Sequence, residues 1–403
     1  MKNRIIASIL AILLMLPLAA CGAAKDEGIS FMIANDIHYI SPSLLGDGEF
    51  FRHPQTRADG KLVHYSPEIT DAFIAEVIEK KPQALILAGD LTLNGAVVSH
   101  TELSAKLMQG KNAGIDVLVI PGNHDIDKTA VDYSGETLKQ VESANASLFY
   151  ELYDPLLPET LSREAGTFNY IYEARDDLWV LMLDSNTQAE CYVMESTFVW
   201  LEENLKKAQA AGIDVIAVSH QNIYKHSDLL SFGYQLYNGS NIQALYEKYG
   251  VKCNFSAHVH IQSIADEEMP EIVTSALSVT GLHYGEINCK RRGIDYSTKS
   301  LELDIAAEGF SSFAEYATYY FEMIAKDQAR KTLADSGLSD EEIELMATTY
   351  AEINSAYFEG RRVKKSDYAV GISLWRTKSD SFISKYIDSM LGAIDKEQHI
   401  RIK

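Results

Sequence analysis

The stretch Ile115-Asp116-Val117-Leu118-Val119-Ile120-Pro121-Gly122-Asn123-His124-Asp125 decides the fold. Residues 115–120 read as a short buried strand that ends directly in an amide, an imidazole and a carboxylate. The same layout recurs along the chain. A strand over 29–35 ends in Asp36-Ile37-His38, one over 84–88 in Gly89-Asp90, one over 213–219 in His220, and one over 251–257 in His258-Val259-His260. A sixth apolar segment spans 178–184. Amphipathic stretches lie between most of them. Ser66-Pro67-Glu68 opens one whose Ile69, Phe73, Ile74, Val77 and Ile78 share a face, and residues 98–113 and 196–211 each end near a glycine. Strands alternating with helices imply an α/β domain. Polar residues at the carboxyl ends of five strands mark the edge where such sheets build their sites.

Carboxylate, amide oxygen and neutral imidazole donors together suit manganese, iron or zinc better than a soft thiophilic ion. A pair of such ions, in general about 3.5–4 Å apart, lowers the pKa of bound water and neutralises phosphoryl charge. The ordered set Asp36-x-His38, Gly89-Asp90, Gly122-Asn123-His124-Asp125, His220 and His258-x-His260 resembles the calcineurin-like metallophosphoesterase family. That resemblance implies a four-layer α/β fold over residues 29–305, a β-sandwich of two mixed sheets flanked by helices. It also implies two divalent or mixed-valence metal ions (Mn, Fe or Zn). Asp36, His38 and His260 would hold the first, Asn123, His220 and His258 the second, and Asp90 would bridge both. A metal-activated hydroxide would attack phosphorus, and the catalytic His124 would contact the phosphate or protonate the departing oxygen.

Three departures narrow the branch. Ala257 stands where the family usually has glycine before its histidine pair. Leu93 stands three positions after Asp90, where the protein-phosphatase branch has an acid that orients the catalytic histidine. Purple acid phosphatases have a glycine at the place of His38 and a tyrosine after Gly-Asp, where this chain has Thr92 and Leu93. The pattern looks most like the bacterial cyclic-nucleotide phosphodiesterase-like branch. Its expected reaction is hydrolysis of a small phosphate ester, a phosphodiester such as a cyclic nucleotide. A phosphomonoesterase or nucleotidase, a lipid phosphodiesterase and a non-catalytic binding lipoprotein are the alternatives. Segment 41–65 follows His38 directly, so Arg52, His53, Arg57 and His64 are candidate substrate contacts, against the alternative of solvated loop residues. Asn222, close behind His220, is a candidate to position a phosphate oxygen. His100 and His226 read as structural histidines.

The formal charge of −21 repels a phosphate-rich polymer and excludes nucleic-acid binding through a basic face. At the N-terminus, Lys2 and Arg4 precede an apolar run from Ile5 to Ala20, the length of a secretory signal. Leu18-Ala19-Ala20-Cys21 resembles the bacterial lipobox, which implies cleavage after residue 20, lipid on Cys21 and an exported, extracytoplasmic, membrane-anchored chain. Cleavage removes two cations and no acid and moves the formal charge to −23. Residues 21–28 then read as a tether. Cys191, Cys253 and Cys289 remain, enough for at most one internal disulfide, with Cys253 reading as a buried packing residue. Further strands are expected over 271–279 and 300–304, and a C-terminal helical domain over 306–403, with a capping box at Ser339-Asp340-Glu341-Glu342.

Overall fold

The computed structural model describes residues 28–46, 53–230, 232–307, 309–393 and 398–403. The signal sequence, Cys21, most of the tether and Arg52 lie outside the described residues. In chain order the first strands are β1 (Ile29–Ala34), β2 (Ala84–Ala88), β3 (Asp116–Ile120), β4 (Val131–Asp132), β5 (Lys139–Gln140), β6 (Ser162–Arg163), β7 (Tyr170–Arg175) and β8 (Leu178–Leu183). They continue as β9 (Asp214–Ser219), β10 (Cys253–Ser256), β11 (Ser263–Ala265), β12 (Glu271–Val273), β13 (His283–Lys290), β14 (Gly293–Ser300) and β15 (His399–Ile402). One sheet has the order β15-β14-β13-β1-β2-β3, the other β11-β12-β10-β9-β8-β7-β6, and β4 and β5 form a separate ribbon. Both large sheets are mixed. β1, β2 and β3 are parallel, as are β8, β9, β10 and β12, while the outer strands run antiparallel.

The two-residue period of a strand sorts the side chains between layers. Leu178, Val180, Met182, Ile216 and Val218 enter the core between the sheets. Their neighbours Trp179, Leu181, Leu183, Val215 and Ala217 face outward onto helices. The longer helices are α1 (Ser66–Lys80), α2 (Val97–Asn112), α3 (Ala146–Tyr153), α4 (Glu195–Ala211) and α5 (Gly239–Tyr249). Leu201 and Leu205 of α4 and Ile242 and Tyr246 of α5 cover the second sheet, while Phe73, Val77, Leu103 and Leu107 of α1 and α2 join the core of the first. Helix, sheet, sheet, helix is the expected four-layer sandwich.

The C-terminal helices are α6 (Phe313–Leu333), α7 (Asp340–Phe358), α8 (Ala369–Lys378) and α9 (Phe382–Ala393). Helix α6 carries two apolar stripes. Phe313, Ala317, Tyr320 and Ile324 join the sandwich core, and Phe321, Ala325, Ala329 and Leu333 join a second cluster with α7, α8 and α9. One helix is thus shared by both bodies. The capping box on Ser339 and Glu342 forms as its sequence requires. Among the described residues no helix is long and apolar enough to cross a membrane, and Cys191, Cys253 and Cys289 are buried free thiols.

Two expectations differ from the structure. The strand expected over 271–279 stops at Val273, and the hydroxyls that follow bond to the loops after β1 and β10. Ser275 Oγ donates to the carbonyl of His260 and Ser278 Oγ to that of Asp36, each at 2.8 Å. The sheet is completed instead by the β13–β14 hairpin. The helical domain expected to run to residue 403 ends at Ala393, and His399–Ile402 return as β15 beside β14, with Ile402 opposite Ile294 and in the sandwich core.

A buried polar post holds the second sheet to the loop after β9. Glu271, wholly buried, accepts from the backbone N–H of Ile223 (2.9 Å) and Tyr224 (2.6 Å), from Asn254 Nδ2 (2.7 Å) and from His226 Nε2 (3.1 Å). Burial works against its charge, but His226 and the two backbone donors outweigh burial and hold its carboxyl below the ordinary value. A carboxyl depressed in the folded state contributes stability that is complete above its unfolded pKa of about 4.3 and is lost as pH falls through the folded value. Glu271→Ala is therefore expected to cost about 3–5 kcal/mol at pH 7, and the gap from wild type should narrow in acid. Urea unfolding of both proteins at pH 7 and across the acid range measures this; a gap constant with pH would deny the carboxylate its role.

Candidate metal centre

The ends of β1, β2, β3, β9 and β10 converge at one edge of the sandwich. Backbone pairing carries on past the strands: Asp36 N–H reaches Gly89 O (3.2 Å), and His38 N–H reaches Asp90 O (3.0 Å). The chain must then turn sharply to bring the side chains inward. Asp36, His38, Asp90, His258 and His260 all take φ between 48° and 70°, the left-handed region that side chains disfavour. Two glycines make room. A Cβ on Gly122 would sit 2.2 Å from Asp90 N and Oδ1, and one on Gly89 would sit 2.6 Å from His220 Nδ1. Asp125 stitches the loops after β2 and β3 together, accepting from the N–H groups of Leu91 (3.1 Å), Thr92 (2.9 Å) and Gly122 (2.8 Å).

Two groups of donors result, sharing Asp90. Asp36, His38, Asp90 and His260 form one, and Asp90, His220 and His258 the other, with the donor atoms of each group within 4.8 Å of one another. Asn123 joins the second, its Oδ1 3.1 Å from His220 Nε2. The outward nitrogens fix the inward ones. His220 Nδ1–H donates to Ala88 O (2.8 Å), and His258 Nε2–H donates to Gly233 O (2.8 Å). Lone pairs on His220 Nε2 and His258 Nδ1 therefore face each other at 3.1 Å, beside Asp90 Oδ1 at 3.3 Å from His220 Nε2. In the first group His38 Nε2 and His260 Nε2 lie 3.2 Å apart, and Asp36 Oδ1 has no hydrogen-bond partner among the described residues. In the second group the outward hydrogen bonds turn lone pairs inward, in the first Asp36 Oδ1 and His260 Nε2 do the same, and the donor set of the seven residues fits two metal ions.

The electrostatics agree. Burial opposes the charge of Asp90, but His220, His124 and His38 outweigh burial and hold it well below the usual carboxylate range. Burial likewise opposes a proton on His220, yet Asp90 and Asp36 push its pKa up to about 9. Without a metal, a proton on His220 is the cation that the second group demands. Burial, with the charge of His220 next, lowers His258 to about 3 and keeps it a neutral donor. Burial, then the charge of Lys61, lowers His38 well below its ordinary value.

His124 stands at the open side, a quarter exposed, with Nε2 3.9 Å from Asp90 Oδ2 and its ring centroid 5.0 Å from that of His38. Its Nδ1–H donates to Leu93 O at 2.7 Å, so a backbone carbonyl orients the ring where the protein-phosphatase branch is expected to use an acid. Ala257 is not in the left-handed region and accommodates its Cβ without strain.

The weaker candidates fall elsewhere. Asn222 is buried and spends its amide on Ser256 Oγ and Ala257 O (both 3.0 Å), bracing the loop before His258 rather than facing the donors. His64 bonds Tyr316 Oη at 2.9 Å and packs on Tyr65 and Tyr320, so it belongs to the contact with α6, and burial lowers its pKa to about 4. His53 packs edge-on against Tyr133, and Arg57 pairs with Asp327 of α6 at 3.2 Å. His100, bonded to Tyr153, and His226 are structural, as expected.

Asp59 has a role that the sequence reading leaves out. Its Oδ2 accepts from His260 Nδ1 at 3.1 Å, fixing the tautomer that turns Nε2 toward Asp36. Its side chain is half-exposed, and the hydrogen bond and charge of His260, with Lys61, hold its carboxyl below the ordinary value. Asp59 and Gly60 are both left-handed, and a Cβ on Gly60 would lie 2.8 Å from Phe321 Cα, so this turn is wedged under α6. The Asp-Gly pair is a turn signal, but nothing local says that it serves a histidine 201 positions away.

The family described as calcineurin-like phosphoesterase matches residues 29–262, more than half of the chain. The C-terminal domain of cyclic nucleotide phosphodiesterase matches residues 306–397. No curated protein sequence matches the chain. Among solved structures, a dimetal phosphatase from Danio rerio aligns with 69% of this chain and 98% of its own length, at 11% identity and a TM-score of 0.50. A purple acid phosphatase from yellow lupin (Lupinus luteus) seeds aligns with 68% of this chain and 51% of its own, at 13% identity and a TM-score of 0.45. At 11% identity the likeness to the dimetal phosphatase is one of fold.

Replacing the outer partner of a ligand typically weakens metal binding about 10–100-fold. Asp59→Asn is expected to show that loss with the fold intact, and Gly60→Val, which drives a branched side chain into Phe321, should show it together with a lowered melting temperature. Metal titration by calorimetry and thermal unfolding separate the two. Unchanged affinity in Asp59→Asn would remove Asp59 from the centre.

Proposed function

The chain belongs to the calcineurin-like phosphoesterase family, and from that premise we propose that it hydrolyses a phosphodiester, with a cyclic nucleotide as the favoured substrate class. The observation that carries the reaction is the pair of donor groups sharing Asp90 beside the accessible His124. The match of residues 306–397 to a cyclic nucleotide phosphodiesterase domain supports the substrate class.

Bound metal ions would supply Lewis acidity and a water of lowered pKa. The chain's own residues do the rest. Asp90, common to both donor groups, would help to hold both ions. His124, held by Leu93 O, presents Nε2 to the departing oxygen and delivers a proton there, so the alcohol leaves neutral. Burial of Asp36, His38, Asp90 and His220 keeps bulk water from competing for their lone pairs. An acidic protein attracts an anionic ester only through this local charge.

Metal-stripped protein should regain hydrolysis of bis(p-nitrophenyl) phosphate when manganese, iron or zinc is restored, in preference to p-nitrophenyl phosphate. Asp90→Asn should abolish turnover, and His124→Ala should lower it by about 10²–10⁴-fold with metal content unchanged. A strong monoester preference would move the reading to a phosphomonoesterase or nucleotidase.

We also propose that the protein is exported and held at a bacterial membrane by lipid on Cys21, on the strength of Leu18-Ala19-Ala20-Cys21 after an apolar run. Mass spectrometry of the protein recovered from a bacterial membrane should then find residues 1–20 gone and a lipid on Cys21; a mature chain with unmodified Cys21 would end the proposal.

A further inference from the structure

A cavity of about 280 Å³ opens between the C-terminal helices and the loops of the metal centre, close to the lower end of small-molecule sites, about 300 Å³. It borders the residues that support the centre, and Tyr234 in its wall has its ring 5.2 Å from that of His258. Asp59, which holds His260, is in its wall, and so is Val259, between the ligands His258 and His260. The rest of the wall comes largely from α6, α7 and α9, with Phe321, Tyr350, Phe358, Phe382 and Tyr386 prominent.

The wall is aromatic, with one unmet polar demand. Asn354 lines the cavity, is 6% exposed, and its Oδ1 has no hydrogen-bond partner among the described residues. A buried amide left without a partner is destabilising, and a site that carries one favours a ligand that satisfies it. Phe382 and Tyr386 lie with ring planes 23° apart and centroids 5.5 Å apart, a ready stack for a further flat ring. Asp59 is the single charged residue in this wall among the described residues, and His260 engages it. The lining is otherwise neutral.

We infer that this cavity receives the base of a nucleotide substrate, a planar heteroaromatic group that stacks on the Phe382–Tyr386 face and offers a donor and acceptor edge to Asn354, while its phosphate lies at the metal centre. The inference rests on the phosphodiester reading above and deepens it. A quaternary ammonium group such as choline also suits aromatic walls, but it has no hydrogen-bonding edge to offer Asn354. The C-terminal helices thereby select the substrate, and the sandwich performs the reaction.

The test compares kcat/KM of the metal-loaded full chain for a cyclic nucleotide and for the same cyclic ribose phosphate lacking the base. Stacking on aromatic side chains should favour the base-bearing substrate by about tenfold or more, mainly through KM. Phe382→Ala, which truncates a half-exposed side chain and spares the core, and Asn354→Leu should both bring the ratio toward one. Calorimetry of a nucleoside on the metal-free full chain supplies a readout independent of turnover, and Phe382→Ala should weaken that binding. A wild-type ratio near one, or a ratio that neither variant changes, would overturn the inference while leaving the phosphodiesterase reading in place. Preference for a choline phosphodiester, lost in Phe382→Ala, would overturn it in favour of a cation pocket. Nucleoside binding weakened by Phe382→Ala, with no diester hydrolysed under any metal, would uphold the pocket and sink the phosphodiesterase reading. Neither binding nor turnover would overturn both.

Discussion

Asp90 lies within 4 Å of imidazole nitrogens from three other loops, and the arrangement around it is intolerable to a protein without a cation. Facing lone pairs repel, and each buried acceptor has given up water to be there. Everything near the sheet edge holds that arrangement in place. The outward nitrogens of His124, His220 and His258 are committed to backbone carbonyls, so their rings cannot rotate away. Asp125 locks the loop that carries Asp90 to the loop that carries Asn123.

The backbone bears a comparable load. Five of the donor residues sit in the left-handed region, at roughly 1–2 kcal/mol each. Their sum, about 5–10 kcal/mol, rivals the net stability of a whole domain. Such strain persists only where the surroundings over-determine it. Here they are two sheets whose parallel strands end at one level, with Asn35 Nδ2 reaching across to Ser256 O and Thr274 O at 3.2 Å. Metal binding would recover part of that strain as folding energy. The centre and the fold are therefore one thermodynamic object.

The sequence disclosed this object unevenly, and for a physical reason. The residues that converge at the sheet edge were legible because each is a local signal: a short apolar strand followed at once by a carboxylate, amide or imidazole. The four-layer sandwich followed from alternation of strands and helices together with the family resemblance. Asp59 escaped because its meaning depends on His260, and His64 was misleading because its partner is Tyr316, 252 positions on. Strand β15 escaped because four residues, His399-Ile400-Arg401-Ile402, alternate too briefly to stand out from the helices before them. Leu93 could be read only as a missing acid; that its carbonyl does the orienting is invisible in a side-chain alphabet. Long-range pairing and backbone roles are what a linear reading loses.

The C-terminal helices look separable by composition, and the geometry argues otherwise. Alternate stripes of α6 are buried in the sandwich core and in the helical cluster, so removing the helices would expose Phe313, Ala317, Tyr320 and Ile324 partners in the catalytic body. The same helix presses on Gly60, and Gly60 adjoins the residue that orients His260. Helix α6 thus lies in close backbone contact with a left-handed glycine one residue from the carboxylate that orients His260. Interfaces packed at this density move between discrete arrangements rather than deforming gradually. The unit that lines the cavity and the unit that holds the donors therefore meet at one close backbone contact, between α6 and the turn at Gly60.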